Sequence, residues 1–467
     1  MPSPRVVLPS PAPDWADLRR ELDAPGDFPA DVLAEAERAA ASPRLPDLDL
    51  TDVAFLTVDP EGSRDLDQAL ALERDGDGYL LRYAIADVAA FVTAGGAVDA
   101  ECRRRGETLY LPDLRVPLHP PVLSEGAASL LAGQVRPAVV WTLALGPDGR
   151  PTSTRVERAR VRSRRQLSYP EAQAELDTEP TLGLLREVGL LREARARERG
   201  AVELPTPEQE VSDGPDGRPV LVLRAPLPVE GWNAQVSLLT GLEAARIMLE
   251  GGVGLLRTLP PAHPDDVEAL RRSALALGIA WPEGTSYGEV VSGLDPAQPT
   301  HAALLTLATR LLRGAGYTAF DGAPPEQPLH SALAAPYAHC TAPLRRLVDR
   351  YVGEVCLALC AGEPVPAWAR EALPGLPEVM TAADRRASAL DRAVVDLAEA
   401  LLLAPRVGEV FDGAVVEASA KAGAVQLTDP PVRARLQGAD LPLGARVRVR
   451  LVTADPATRT VLFALDT

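Results

Sequence analysis

The sequence predicts an α+β protein with more than one domain, and three observations predict it. Its 467 residues exceed the roughly 100–200 of one typical domain. Strand-period segments open the chain from about Val53, and helical patterns dominate later, from about 180 to 403. After Pro405 the texture changes to short strands broken at Gly413, Gly423, Pro430-Pro431, Gly438, Gly444 and Asp455-Pro456. Strands followed by helices without a clear linker read as one large domain, residues 47–404. Five short strands at the later spacing read as an OB-type barrel, residues 405–467. Residues 1–46 remain as a small helical region.

Composition narrows the class. Apolar residues are 46% and charged residues 24% of the chain, ordinary for a folded protein. No run nears the roughly 18 apolar residues of a membrane span, so no membrane partner is expected. The start is too rich in Pro for a signal peptide. Four Cys form no CxxC pair, and the expected home is the cytoplasm with reduced thiols. No protein partner can be read from the chain. A net charge of −17 argues against a nucleic-acid ligand unless a local basic channel exists.

At the N-terminus, Asp14–Asp23 and Pro29–Ala41 carry helical patterns separated by Pro25-Gly26, a spacing open to a helix-turn-helix reading. Val53–Val58 is a short apolar strand ending at Asp59. Leu70–Glu73 and Tyr79–Ile85 flank Asp75-Gly-Asp-Gly, a hairpin signal, and similar turns stand at Pro147-Asp-Gly and Pro215-Asp-Gly. Helical patterns follow at 180–199, 233–252, 264–278, 300–314, 344–361 and 378–403. In the last region Arg446, Arg448 and Arg450 alternate with Val447, Val449 and Leu451, so period 2 places three guanidinium groups on one face. That face is either a solvated exterior or a platform for nucleic acid.

The stretch from Thr57 to Leu70 is the richest in chemistry. Asp59 closes a strand, and Asp65 and Asp67 are two residues apart, so they can project to one side of an extended segment. Converging carboxylates raise one another's pKa, and a hard divalent cation relieves the repulsion. The other reading is an acidic surface loop with Asp capping a helix-like Gln68–Leu72.

Longer motifs bear on that choice. Phe55-Leu-Thr-Val-Asp-Pro-Glu-Gly-Ser-Arg-Asp-Leu-Asp-Gln-Ala resembles the catalytic signature of the ribonuclease II family, the RNB domain. Ile85-Ala-Asp-Val, Tyr110-Leu-Pro-Asp, Pro117-Leu-His-Pro-Pro-Val-Leu-Ser and Tyr337-Ala-His-Cys-Thr-Ala-Pro-Leu-Arg-Arg-Leu-Val-Asp resemble its later segments, in order. The C-terminal barrel resembles the S1 domain that follows RNB in this family. The resemblance implies a 3′→5′ exoribonuclease that processively hydrolyses single-stranded RNA to nucleoside 5′-monophosphates, with two Mg²⁺ ions.

Carried over by motif position, Asp59, Asp65 and Asp67 hold Mg²⁺ and the scissile phosphate, Asp67 at the most sensitive place. Gln68 stands where the family usually has a fourth Asp; its amide oxygen can coordinate but adds no charge. Arg345 matches the active-site Arg, and Arg346 is a second candidate for phosphate. Tyr110 matches an aromatic that packs on a terminal base, Tyr169 another RNA-contacting Tyr, and Asp391 a contact to the 3′-terminal ribose. Arg103–Arg105, Arg158–Arg165 and the Arg446–Arg450 face are candidates for the RNA path. The departure at Gln68 leaves open a catalytically weak or inactive RNB-fold RNA-binding protein. A metal phosphohydrolase acting on small substrates is a further alternative.

Overall fold

A computed structural model describes residues 5–7, 15–204, 208–213, 219–224, 226–430 and 432–466. The Pro215-Asp-Gly turn lies outside them. Two closed five-stranded barrels organise the chain.

The first is built from β1 (Phe55–Asp59), β2 (Gln68–Asp75), β3 (Gly78–Ala86), a strand at Val135–Leu145 and one at Pro151–Ser168. Two helices, α1 (Trp15–Glu21) and α2 (Ala30–Ala41), precede β1, and between β3 and the Val135 strand the chain makes an excursion through α3 (Ala97–Arg105). The excursion also forms a small hairpin, β4 (Leu109–Tyr110) and β5 (Arg115–Val116). The Val135–Leu145 and Pro151–Ser168 strands are β6 and β7. β7 closes the barrel by pairing parallel to β1, with Asp59 opposite Ser168. The predicted hairpin is present: Asp75 pairs with Gly78 across a two-residue turn. A Cβ on Gly78 would stand 2.0 Å from the Leu145 carbonyl oxygen, which is why only glycine fits there. Gln68–Leu72 belongs to strand β2, not to a helix. β1 is buried on both faces from Phe55 to Val58, so its hydrophobic run fixes Asp59 at the barrel mouth.

Helices cover this barrel. The long ones are α4 (Pro180–Arg199), α5 (Pro228–Gly251), α6 (Leu347–Ala361) and α7 (Leu376–Leu403). α5 and α6 share the main core with β1–β3. Between α4 and α5 lies a second hairpin, Glu208–Asp213 with Pro219–Arg224, to which Arg5–Val7 adds a third strand. The two N-terminal helices are seated separately: Trp15 and Leu18 of α1 pack with α7 residues, whereas Val32 and Ala36 of α2 join the main core.

The C-terminal barrel comprises β8 (Val410–Ala418), β9 (Ala422–Leu427), β10 (Arg433–Gln437), β11 (Arg446–Asp455) and β12 (Thr460–Leu465). β10 and β12 pair in parallel and the other pairs are antiparallel, the connectivity of an OB-type barrel. Phe411, Val415, Val425, Leu436, Val449 and Phe463 fill it, and Ala398 and Leu403 of α7 complete its core. No helix among the described residues is long and apolar enough to cross a membrane.

Candidate active site

The mouth of the first barrel gathers the predicted acids. Leu66 is buried in the core between Asp65 and Asp67, with its amide donating to Ser129 Oγ at 2.9 Å. Asp67, 2% exposed, is pinned by the Ala86 amide on its carbonyl. Its Oδ1 accepts from the Leu344 amide at 2.7 Å and its Oδ2 from Arg345 Nε at 3.2 Å. Burial pushes its carboxyl up to about 8 against the pull of Arg345. Burial likewise pushes Asp59 up to about 7, with Asp65 adding repulsion. Asp59 Oδ2 is buried and has no hydrogen-bond partner among the described residues, and the same holds for the neighbouring Tyr83 hydroxyl. Buried polar atoms in native proteins are rarely left so.

Arginines relieve much of the repulsion. Arg115, from β5, pairs with Asp65 and with Glu125, the latter at 2.6 Å. Arg345 serves Asp67. Correspondingly, no group of three or more His, Cys, Asp or Glu side chains is drawn together as a metal cage among the described residues. The expected tight triad is therefore an open one. Its donor set nonetheless suits a hard dication: the ligands are all oxygen, and Asp59 Oδ2 is an orphaned acceptor.

Residues 341–346 form the facing loop before α6. Gln68 Nε2 donates to the Thr341 carbonyl at 2.6 Å, so the amide that replaces an acid acts as a latch on this loop. Buried His119 donates from Nδ1 to the Leu344 carbonyl at 3.1 Å; burial lowers its pKa to about 4 and keeps it neutral. Asp349 accepts from the Ala342 amide at 2.7 Å and from Arg346 Nε and a terminal nitrogen at 2.6 and 2.8 Å. Arg346 is thus held by the carboxylate three residues on and braces the loop, while its side chain stays 22% exposed. Arg345 differs: its side chain is 48% exposed, and among the described residues its terminal nitrogens have no protein partner.

Beside this loop lies a cleft of about 340 Å³, lined by Tyr110, Ser237, Thr341, Arg345, Leu390 and Asp391, among others. Tyr110 is half exposed there. Ser237 Oγ shares a 2.7 Å hydrogen bond with Thr341 Oγ1, a contact that no sequence motif marked. Tyr169, half-buried and hydrogen-bonded to Asn233, stands in the field of Asp59. Asp59, Asp65, Asp67, Gln68, Arg345, Tyr110, Tyr169 and Asp391 are thus brought to one region.

The basic candidates for a strand path fare differently. Arg105 is buried, donating to Glu101 and to the Pro117 and Gly26 carbonyls. Arg158 pairs with Asp87 and Glu354, and Arg165 with Glu175. Arg446, Arg448 and Arg450 of the C-terminal barrel face outward as the alternation predicts. Asp466 neutralises part of that face, 3.5 Å from Arg448 and 2.7 Å from Arg450.

With this geometry, comparison with known proteins is informative. The model of the RNB domain matches residues 48–360, and that of the RNase II-type exonuclease C-terminal S1 domain matches residues 409–466. The chain belongs to the RNB family. Ribonuclease R of Thermotoga maritima is 28% identical over 438 residues, covering 88% of this chain and 60% of that protein. This RNB chain therefore spans under two thirds of that relative's length. Among solved structures, Mycoplasma genitalium RNase R in complex with ribose-methylated single-stranded RNA superposes with TM-score 0.85 at 20% identity, covering 97% of this chain and 77% of that one. Yeast Ssd1, described as a pseudonuclease, superposes at 0.70 with 18% identity, covering 88% and 53%. At those identities the two structures speak for the fold alone.

Proposed function

We propose that this RNB-family chain is a processive 3′→5′ exoribonuclease that hydrolyses single-stranded RNA to nucleoside 5′-monophosphates. The observation that carries the reading is the pairing of buried Asp67 and half-buried Asp59 with the half-exposed Arg345 beside a cleft of about 340 Å³. That volume is at the small end of ligand pockets and suits one terminal nucleotide. Tyr110 offers a stacking face that accepts any base. Arg345 can fork onto phosphate oxygens with the nitrogens that Asp67 does not engage, where charge develops in the transition state. Asp391, on the wall of the same cleft, offers a carboxylate that can accept from a ribose hydroxyl. Asp59, Asp65 and Asp67 would hold Mg²⁺, two ions in the working enzyme, with the Gln68 amide beside them. Such ions lower the pKa of a bound water and stabilise a leaving oxygen. Neutral His119 keeps the Leu344 amide aimed at Asp67.

The rival is a member that binds RNA without cutting it, favoured by Gln68 in place of an acid. One assay decides. Single-stranded RNA labelled at its 5′ end should pass with Mg²⁺ from full length to a short end product with few intermediates, while 3′-labelled RNA should release labelled mononucleotide at once. Binding without shortening would establish the rival reading, and internal cuts would overturn both.

A further inference from the structure

The hairpin that carries Tyr110 is too small to hold its own shape. Its two strands have two residues each, and even longer isolated hairpins are marginal in water. Leu109 and Val116 are buried, yet they belong to a small cluster apart from the main core. The other members are Trp15 and Leu18 of α1 with Leu390, Ala393 and Val394 of α7. Trp15, at 2% exposure, is the largest of them. One α7 residue in the cluster, Leu390, also lines the cleft.

Polar contacts extend the same arrangement. Arg19 of α1 donates to both carboxylate oxygens of Asp113 at the hairpin tip, at 2.9 and 3.2 Å. Glu21, two residues on, accepts from Arg459 of the C-terminal barrel at 2.7 Å. Upstream, Arg5–Val7 pairs with Val220–Val222 of the second hairpin, which also rests on α7. A stretch of some twenty residues thus joins both hairpins, the cleft wall and the second barrel.

Building on the exoribonuclease reading, we propose that α1 is a positioning element for the 3′-terminal nucleotide: Trp15 and Leu18 hold the Tyr110 hairpin at stacking distance from the cleft. Arg19 and Glu21 of α1 are engaged by Asp113 and Arg459 and its apolar side chains by the cluster of Leu109 and Val116, so its effect should run through Tyr110.

A binding experiment that needs no turnover tests this. The full chain in EDTA is titrated into a short single-stranded RNA with a 5′ dye for anisotropy and 2-aminopurine as its 3′-terminal base. Trp15→Ala with Leu18→Ala should weaken affinity about tenfold and relieve the quenching of the terminal base, the size of one stacking contact. In a Tyr110→Ala background the same pair should change affinity by about twofold at most, because coupled residues are non-additive. Arg19→Glu should give a smaller loss that Asp113→Arg restores, a second route if the double substitution unfolds the chain. Equal weakening in both backgrounds, or none in either, would overturn the proposal. Failure of wild-type hydrolysis would count against the catalytic reading alone, since this measurement contains no chemistry.

Discussion

The two barrels have the same strand number and opposite uses of charge. In the first, acids are drawn into the mouth: half-buried Asp59 and buried Asp67 sit well above the ordinary carboxylate range, and among the described residues one oxygen of Asp59 has no partner. In the second, Arg446, Arg448 and Arg450 lie at the surface, two of them shared by Asp466. The first barrel holds unfavourable electrostatics within a large core; the second disperses its charge into solvent. Buried, unrelieved charge is where chemistry is found, and solvated pairs contribute little to stability. The contrast arises from the connections. The first barrel leaves its sheet between β3 and β6 to build α3 and the Tyr110 hairpin, and the second stays compact throughout.

The largest way to break this contrast is Asp67→Asn. It keeps an oxygen for the Leu344 amide and removes the charge beside Arg345. The expected loss is about 10²–10³ in rate, as for removal of one transition-state electrostatic contact. RNA affinity measured on the same strand should be unchanged or tighter. Full activity would remove the first barrel's special status.

Next is the pH dependence carried by His119. Its folded pKa, about 4, lies below the ordinary value of 6.5, so the unfolded chain binds more protons between them. Stability from this group is complete above pH 6.5 and is lost as pH falls towards 4, on the order of 3 kcal/mol. His119→Gln should flatten that stretch of the denaturation-midpoint profile. An unchanged slope would place the acid sensitivity elsewhere.

Gln68→Asp sharpens the comparison further. It exchanges the donor on the Thr341 carbonyl for a fourth negative charge. Without metal the thermal midpoint should fall, by about 1–3 kcal/mol of stability. The Mg²⁺ needed for half-maximal rate should also fall, because added charge favours a hard cation. A rise in that requirement would show the latch matters more than the ligand.

The smallest effect belongs to the second barrel. Asp466→Asn frees Arg448 and Arg450, so RNA affinity should fall more steeply with salt. For two further phosphate contacts the log–log slope should grow by about 1.4. No change would take this face off the RNA path.

Local patterns were readable from sequence because their causes are local. The Asp75-Gly-Asp-Gly turn, the alternation of Arg446 to Arg450 and the helix from Pro180 each follow from neighbouring residues. The motifs around Asp59–Asp67, Tyr110 and Arg345 pointed to side chains that the fold draws to one region. What escaped was pairing across the chain. Arg115 meets Asp65 from 50 residues away, and Ser237 meets Thr341 from 104. Arg345 and Arg346 are adjacent, look equivalent in sequence and both line the cleft, yet Asp67 takes one nitrogen of the first and Asp349 two of the second. Nor did composition reveal that most of the suggested basic path is already neutralised by carboxylates.

The contact between Asp67 and the Leu344 amide joins residues 277 apart. Such closures come late in folding, because the loop entropy must be met before the contact gives anything back. On a ribosome, the acids of the first barrel emerge long before the loop that completes them. A nascent or truncated chain ending before Thr341 would therefore lack Arg345 and the amide that orients Asp67, whatever its barrel had achieved. The long connection acts as a safety catch, withholding the assembled site until the loop that carries Arg345 has been made.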